Sequence, residues 1–127
     1  KQMRYALELR HLCRVEAVGF TTQVALYMDS ADVLVSKPGG ISITEAGTRG
    51  VPLLLADMVG GCETRNQEFF TAHGWAESCP PADMAAAALK LLPDEKRRQD
   101  VVSAQRRDFD GLAAERIAEA VLARCGK

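Results

Sequence analysis

The sequence predicts an α/β domain built on a doubly wound parallel sheet, and three observations carry that expectation. Short β-branched or leucine-rich runs alternate with stretches of helical spacing along most of the chain. The segment DVLVSKPGGISITEAGTRGVPLLLAD, residues 32–57, passes from a strand through a glycine turn into a helix, a glycine stop and a second strand. With 127 residues, 47% hydrophobic and 26% charged, the chain is long enough for one core and has an ordinary globular composition. Strands alternating with helices form βαβ units whose right-handed crossovers cover both faces of a sheet.

The elements follow in order. Met3, Ala6, Leu7, Leu9 and Leu12 recur at helical intervals over residues 2–13, after which Val15-Glu16-Ala17-Val18 reads as a short strand ending at Gly19. Thr21 is placed to cap a helix with Val24, Ala25 and Met28 inward. Val33, Leu34 and Val35 form the next strand; Pro38, Gly39 and Gly40 break it, and residues 41–49 carry helical spacing until Gly50 and Pro52. Residues 51–56 are an apolar run of the buried-strand type. Thr64 or Asn66 starts a helix through Phe70 and Ala72 that Gly74 stops, and residues 75–77 make a last short strand. Beyond Pro80 and Pro81 the pattern is helical over residues 81–126: Met84, Ala88 and Leu91 share a side, Pro93 and Gly111 interrupt, and a charged stretch runs to Phe109. Ala114, Ile117, Ala118, Val121, Leu122 and Cys125 form one stripe of a terminal amphipathic helix. A chain of this class that opens on a helix points to a first strand upstream.

Composition excludes several classes. The net charge is -1 with acidic and basic residues interspersed, so the clustered Lys and Arg of a nucleic-acid footprint are missing. Cys13, Cys62, Cys79 and Cys125 show no C-x-x-C spacing, which argues against a zinc knuckle, a redox pair or a disulfide framework and fits a reducing cytoplasmic setting. No apolar run reaches the roughly 20 residues of a membrane helix, and KQMRYALELRHL lacks a signal-peptide core.

Chemistry concentrates on the glycine turn. A helix that starts behind Gly39 and Gly40 offers unpaired backbone N–H groups and a partial positive charge, and the absent side chains let an anion approach closely. The G-x-G-x-x-G fingerprint is absent and no Walker lysine follows the loop, so hydride transfer and P-loop chemistry are disfavoured while phosphate binding survives. A plain tight turn would also place glycines here. Glu45 lies three residues after Ser42, where it could accept hydrogen bonds from a ribose diol; the same Ser42-Ile43-Thr44-Glu45 spacing is also a capping box that would satisfy its own helix. Glu63, Asn66, Gln67 and Glu68 follow Gly60 and Gly61 and suit sugar hydroxyls or simply a solvated helix start. His11 and His73 have no partner at ligand spacing, so no metal site is expected, and no nucleophile with a partnered base can be identified.

SKPGGISITEAGTRGVPLLLAD followed by GGCETRNQEFFTAHG resembles the C-terminal domain of glycosyltransferase family 28, which contains bacterial MurG and the monogalactosyl- and diglucosyl-diacylglycerol synthases. The pattern of that family is met at Lys37 to Gly40, at Glu45 and Ala46, at Arg49 to Pro52, and at Gly61, Glu63 and Asn66. The resemblance covers residues 15–76 and implies the Rossmann-like C-terminal half of a GT-B enzyme, with residues 1–127 as a nucleotide-sugar-binding domain of a larger two-domain protein. It implies that a UDP-sugar donor binds with Glu45 on the ribose, with Gly40, Ile41 and Ser42 beyond Gly39 on the diphosphate, and with Phe20 and Thr21 bordering the uracil. Glu63, with its neighbours Cys62 and Asn66, would face the sugar hydroxyls. Cys62 departs from the glutamine usual in the family, and a thiol is a poor hydrogen-bond partner. The resemblance further implies inverting, metal-independent hexose transfer without a cofactor. The general base and the lipid-acceptor surface would lie in the N-terminal domain, so no catalytic residue is expected here and the isolated chain should bind without turnover. Contact with the membrane would then be peripheral and cytoplasmic. Two alternatives remain: a UDP-N-acetylglucosamine 2-epimerase, against which Ser42, Ile43 and Thr44 stand in place of a glutamine and paired glutamates, and a non-catalytic nucleotide-sugar-binding subunit acting with a partner chain.

Overall fold

The structure, a computed structural model, describes residues 15–56, 61 and 63–125. Its frame is a three-stranded parallel sheet of β1 (Leu34–Ser36), β2 (Leu53–Leu55) and β3 (Glu77–Ser78), in the order β1-β2-β3. Leu34 stands opposite Leu53, Ser36 opposite Leu55, and Leu54 opposite Glu77. Parallel neighbours need a crossover. Helix α2 (Gly40–Arg49) supplies the one between β1 and β2, α3 (Thr64–Ala72) the one between β2 and β3, and the short α1 (Val24–Asp29) leads into β1.

Side-chain periodicity explains the packing. Leu53 and Leu55 point to one face and join Met28, Ile43, Ala46, Val51, Phe70 and Ala76 in a single core. Leu54 points to the other face, where it meets Ala86 and Ala87 around a small pocket. All three leucines are buried, as a strand covered on both sides requires. On α2, Ile43, Ala46 and Gly47 form the buried stripe at helical spacing. Gly50 ends that helix in the left-handed conformation (φ 70°), with its N–H directed at the carbonyls of Ala46 and Gly47; a side chain there would be strained by the positive φ.

After a single 3-10 turn (Pro81–Asp83) come α4 (Met84–Leu91), α5 (Glu95–Asp108) and α6 (Ala113–Cys125). The charged stretch before Phe109 is therefore a fourteen-residue helix. The Asp94 side chain caps it by accepting from the Arg97 N–H at 3.1 Å, Glu95 sits in its first turn and Arg106 and Arg107 in its last, and Val101, Val102 and Gln105 are its buried stripe. Gln105 donates from Nε2 to the Val51 carbonyl (3.0 Å) and the Trp75 carbonyl (2.8 Å), tying α5 to the chain entering β2 and to the approach to β3. Phe109 packs edge-on to Trp75 with ring centroids 4.7 Å apart, beside Phe70.

Several expectations shift. The helix expected over residues 2–13 lies outside the described residues. Val15-Glu16-Ala17-Val18 is not a strand: among the described residues it has no ladder partner, and Val15 and Val18 are exposed. β-Propensity becomes a strand only when the segment is laid along a neighbouring edge, and among the described residues β2 is the strand that pairs with β1. The helix after Thr21 begins at Val24 with Gln23 as cap residue; the Thr21 hydroxyl instead accepts from the Gln23 N–H (3.0 Å) in a local turn. Of the three residues expected inward on it, only Met28 is buried, because one helical turn presents one residue to the core. The last strand moves to Glu77–Ser78, since Trp75 and Ala76 turn into the core first. The terminal helix forms, but its apolar stripe is exposed and no residue of it is buried among the described residues.

Candidate functional site

The site forms where the carboxyl end of β1 meets the amino end of α2. Gly39 is the cap residue (φ -75°, ψ 127°), and no side chain caps the helix. Gly40, Ile41 and Ser42 thus occupy its first turn, whose N–H groups have no intrahelical acceptor. Ile43 is the first to donate back, to the Gly39 carbonyl at 3.2 Å. The helix starts one residue earlier than the spacing predicted, and this rules out the capping box of Ser42 and Glu45. With Gly39 as the cap, Ser42 is the third helical residue and the capping box does not form; among the described residues neither side chain has a hydrogen-bond partner.

One side of this helix start opens on a groove of about 840 Å³ between α1 and α2, lined by Ala25, Met28, Gly40, Ile41, Thr44 and Glu45 and reaching Thr48. Its far end is closed by an ion pair in which Arg49 Nη1 lies 2.5 and 2.6 Å from the two carboxylate oxygens of Asp29. The groove is therefore apolar along its floor, carries exposed amides at one end and holds the Glu45 carboxylate one turn along. Such a surface matches a ligand with a flat apolar part, a hydroxylated part and an anionic part.

On the other side, two polar contacts join the glycine loop to the start of α3. Asn66 Nδ2 donates to the Pro38 carbonyl (3.0 Å), and Lys37 Nζ lies 2.5 Å from Glu63 Oε1. Both contacts span more than twenty residues of sequence, so the glycine loop and the start of α3 lie together. Phe20 and Thr21 are not brought to the groove: Phe20 is fully exposed and neither residue lines it. Cys62 lies outside the described residues.

Lys37 belongs to the glycine motif but the sequence assigned it no role; its partner sits 26 positions away, beyond the reach of local pattern. The Asp29–Arg49 closure escaped sequence reading for the same reason. Among the described residues, no cluster of three or more His, Cys, Asp or Glu could hold a metal ion. Away from this site, burial and the nearby Asp83 carboxylate push the Cys79 thiol up, which disfavours the reactive thiolate.

Residues 1–108 match the family described as glycosyl transferases group 1. The chain belongs to that family. It is 33% identical over 102 residues to a processive diacylglycerol beta-glucosyltransferase of Bacillus pumilus (strain SAFR-032), covering 80% of this chain and 27% of the relative. A protein of the same name from Staphylococcus carnosus (strain TM300) is 30% identical over 96 residues, covering 74% and 24%. A third, from Bacillus subtilis (strain 168), is 34% identical over 76 residues, covering 60% and 20%. This chain thus spans about a quarter of the length of these curated relatives. The parallel sheet with its crossover helices is the Rossmann-like arrangement of a GT-B C-terminal domain, seen here as part of a sheet. Among the described residues, no helix of this glycosyltransferase domain is long and apolar enough to cross a membrane.

Proposed function

We propose that residues 1–127 form the donor-binding domain of a glycosyltransferase that carries a hexose from a UDP-sugar to a lipid acceptor. The observation that carries this reading is the uncapped first turn of α2 opening onto a groove that also holds an unpartnered Glu45. The amides of Gly40, Ile41 and Ser42 would hold the diphosphate behind Gly39, Glu45 would accept from the ribose hydroxyls, and Glu63, Cys62 and Asn66 would face the sugar. The names of the relatives support a lipid acceptor and a glucosyl donor.

As the glycosidic bond to the diphosphate breaks, negative charge grows on the departing UDP, and the positive end of α2 lowers the energy of that state. The helix dipole performs this task without a metal, and attack from the opposite sugar face gives inversion. The general base and the acceptor surface are supplied from outside these residues, so this domain alone binds donor without turning it over. The whole protein would work at the cytoplasmic face, touching the membrane peripherally.

Calorimetric titration of UDP, UDP-glucose, UDP-galactose and UDP-N-acetylglucosamine, with Glu45→Ala as control, tests the reading. A carboxylate accepting two ribose hydroxyls contributes about 1.5–3 kcal/mol after allowance for solvent, so the variant should bind UDP about 10- to 100-fold more weakly. Equal UDP affinity for the variant would remove Glu45 from the site, and no binding of any of the four ligands by the folded protein would overturn the proposal.

A further inference from the structure

We propose that Lys37 is the residue that reads the charge of the nucleoside diphosphate, exchanging Glu63 for a phosphate oxygen when the ligand binds; this rests on the donor-binding reading above. The geometry around Gly39 carries the inference. A Cβ placed on Gly39 would lie 3.2 Å from Lys37 Nζ and 3.4 Å from Glu63 Oε1. The ammonium therefore lies directly over the cap residue of α2, and the missing side chain leaves nothing between it and the start of the helix. An anion seated on the amides of Gly40, Ile41 and Ser42 would come within reach of a compact, rotatable ammonium at that place.

The present partner is well suited to being displaced. The Lys37 side chain is 60% exposed and that of Glu63 26%, and a solvated pair of this kind holds weakly. A diphosphate brings more negative charge than one carboxylate and is held at the same time by the helix amides, so it competes favourably. The loop does not depend on the ion pair for its position, because Asn66 Nδ2 holds the Pro38 carbonyl at 3.0 Å from the same helix start. Exchange would also free the Glu63 carboxylate to accept hydrogen bonds from the ligand's hydroxyls, coupling recognition of the charge to recognition of the sugar. Among the described residues, Arg49 is the cation that lines the groove, and it is already engaged by both oxygens of Asp29.

The test measures UDP and uridine affinity of the intact protein and of Lys37→Met, Lys37→Arg and Glu63→Gln. Lys37→Met should weaken UDP binding about 10- to 50-fold, the worth of one charge-assisted hydrogen bond, and leave uridine unchanged. Lys37→Arg should retain most of the UDP affinity. Glu63→Gln should bind UDP as well as or several-fold better than the parent, because the lysine is released. Circular dichroism checks that each variant folds. If the parent binds UDP and Lys37→Met binds it equally well, the inference falls while the donor site stands. If Lys37→Met and Glu63→Gln weaken UDP alike, the pair is only a structural latch and the exchange is wrong. If the folded parent binds no UDP, the donor reading fails and takes this inference with it.

Discussion

Gln105 is the buried polar residue that ties α5 to the chain entering β2 and to the approach to β3. Fully buried, it directs both Nε2 hydrogens at backbone carbonyls, those of Val51 and Trp75, and leaves its Oε1 without a partner. In Gln105→Leu the volume is nearly kept and both hydrogen bonds are lost. Two such bonds contribute roughly 1–3 kcal/mol net, two carbonyls deprived of this donor add roughly 2 kcal/mol, and removing the unpaired Oε1 returns roughly 1 kcal/mol. The variant should therefore be less stable by about 2–4 kcal/mol. In urea unfolding followed by the fluorescence of Trp75, the one tryptophan of the sequence, the midpoint should fall by about 1–2 M at unchanged slope. Gln105→Glu should be worse, since a carboxylate would face two carbonyl oxygens with no hydrogen to share. Val51 follows directly on the glycine that ends α2, so loosening Gln105 also loosens the exit of the helix that forms the site. A leucine variant within about 0.5 kcal/mol of the parent would refute this reasoning, because surface changes alone scatter that much.

Two further outcomes are expected. Gly47→Ala would bring a Cβ to 3.0–3.1 Å from three ring carbons of Phe109; the ring is wedged against Trp75, so overpacking should exceed the roughly 1 kcal/mol that alanine gains over glycine in a helix, and a rise in the thermal midpoint would contradict this packing. The Arg107 side chain, then the Trp75 indole N–H at 2.7 Å, hold the Asp108 carboxyl below its ordinary value. Its contribution is therefore complete above the unfolded value of about 3.9 and is lost as pH falls through the lower folded value. Asp108→Asn should flatten the acid limb of an unfolding curve, and an unchanged limb would show that the pair adds nothing.

The order of strands and helices was legible from local pattern, because glycine, proline and apolar periodicity act within a few residues. The break at Pro38 to Gly40, the stop at Gly50 and the run before Ala56 all stand where the residues put them. The glycine turn with its uncapped helix start was legible too, since it depends on two adjacent glycines and the helix that follows. Boundaries were less so: Ser42 and Glu45 satisfy the spacing of a capping box, and only the start of α2 at Gly40 shows that the helix begins too early for one. Residues 15–19 have strand-forming side chains, but a strand also needs a neighbouring edge, which no local pattern contains. The charged stretch of α5 gave little sign of holding a fully buried glutamine, because what buries Gln105 is the meeting of Val51 and Trp75 from distant segments. By itself the sequence determined the βα alternation and the glycine turn that opens α2, both short-range properties of backbone and side chain. The tertiary structure alone decided that Lys37 lies against Glu63, that Asn66 holds Pro38 and that Arg49 closes the groove on Asp29. Those partners stand 20 to 28 residues apart, and only the packing of crossover helices onto a shared sheet brings them together.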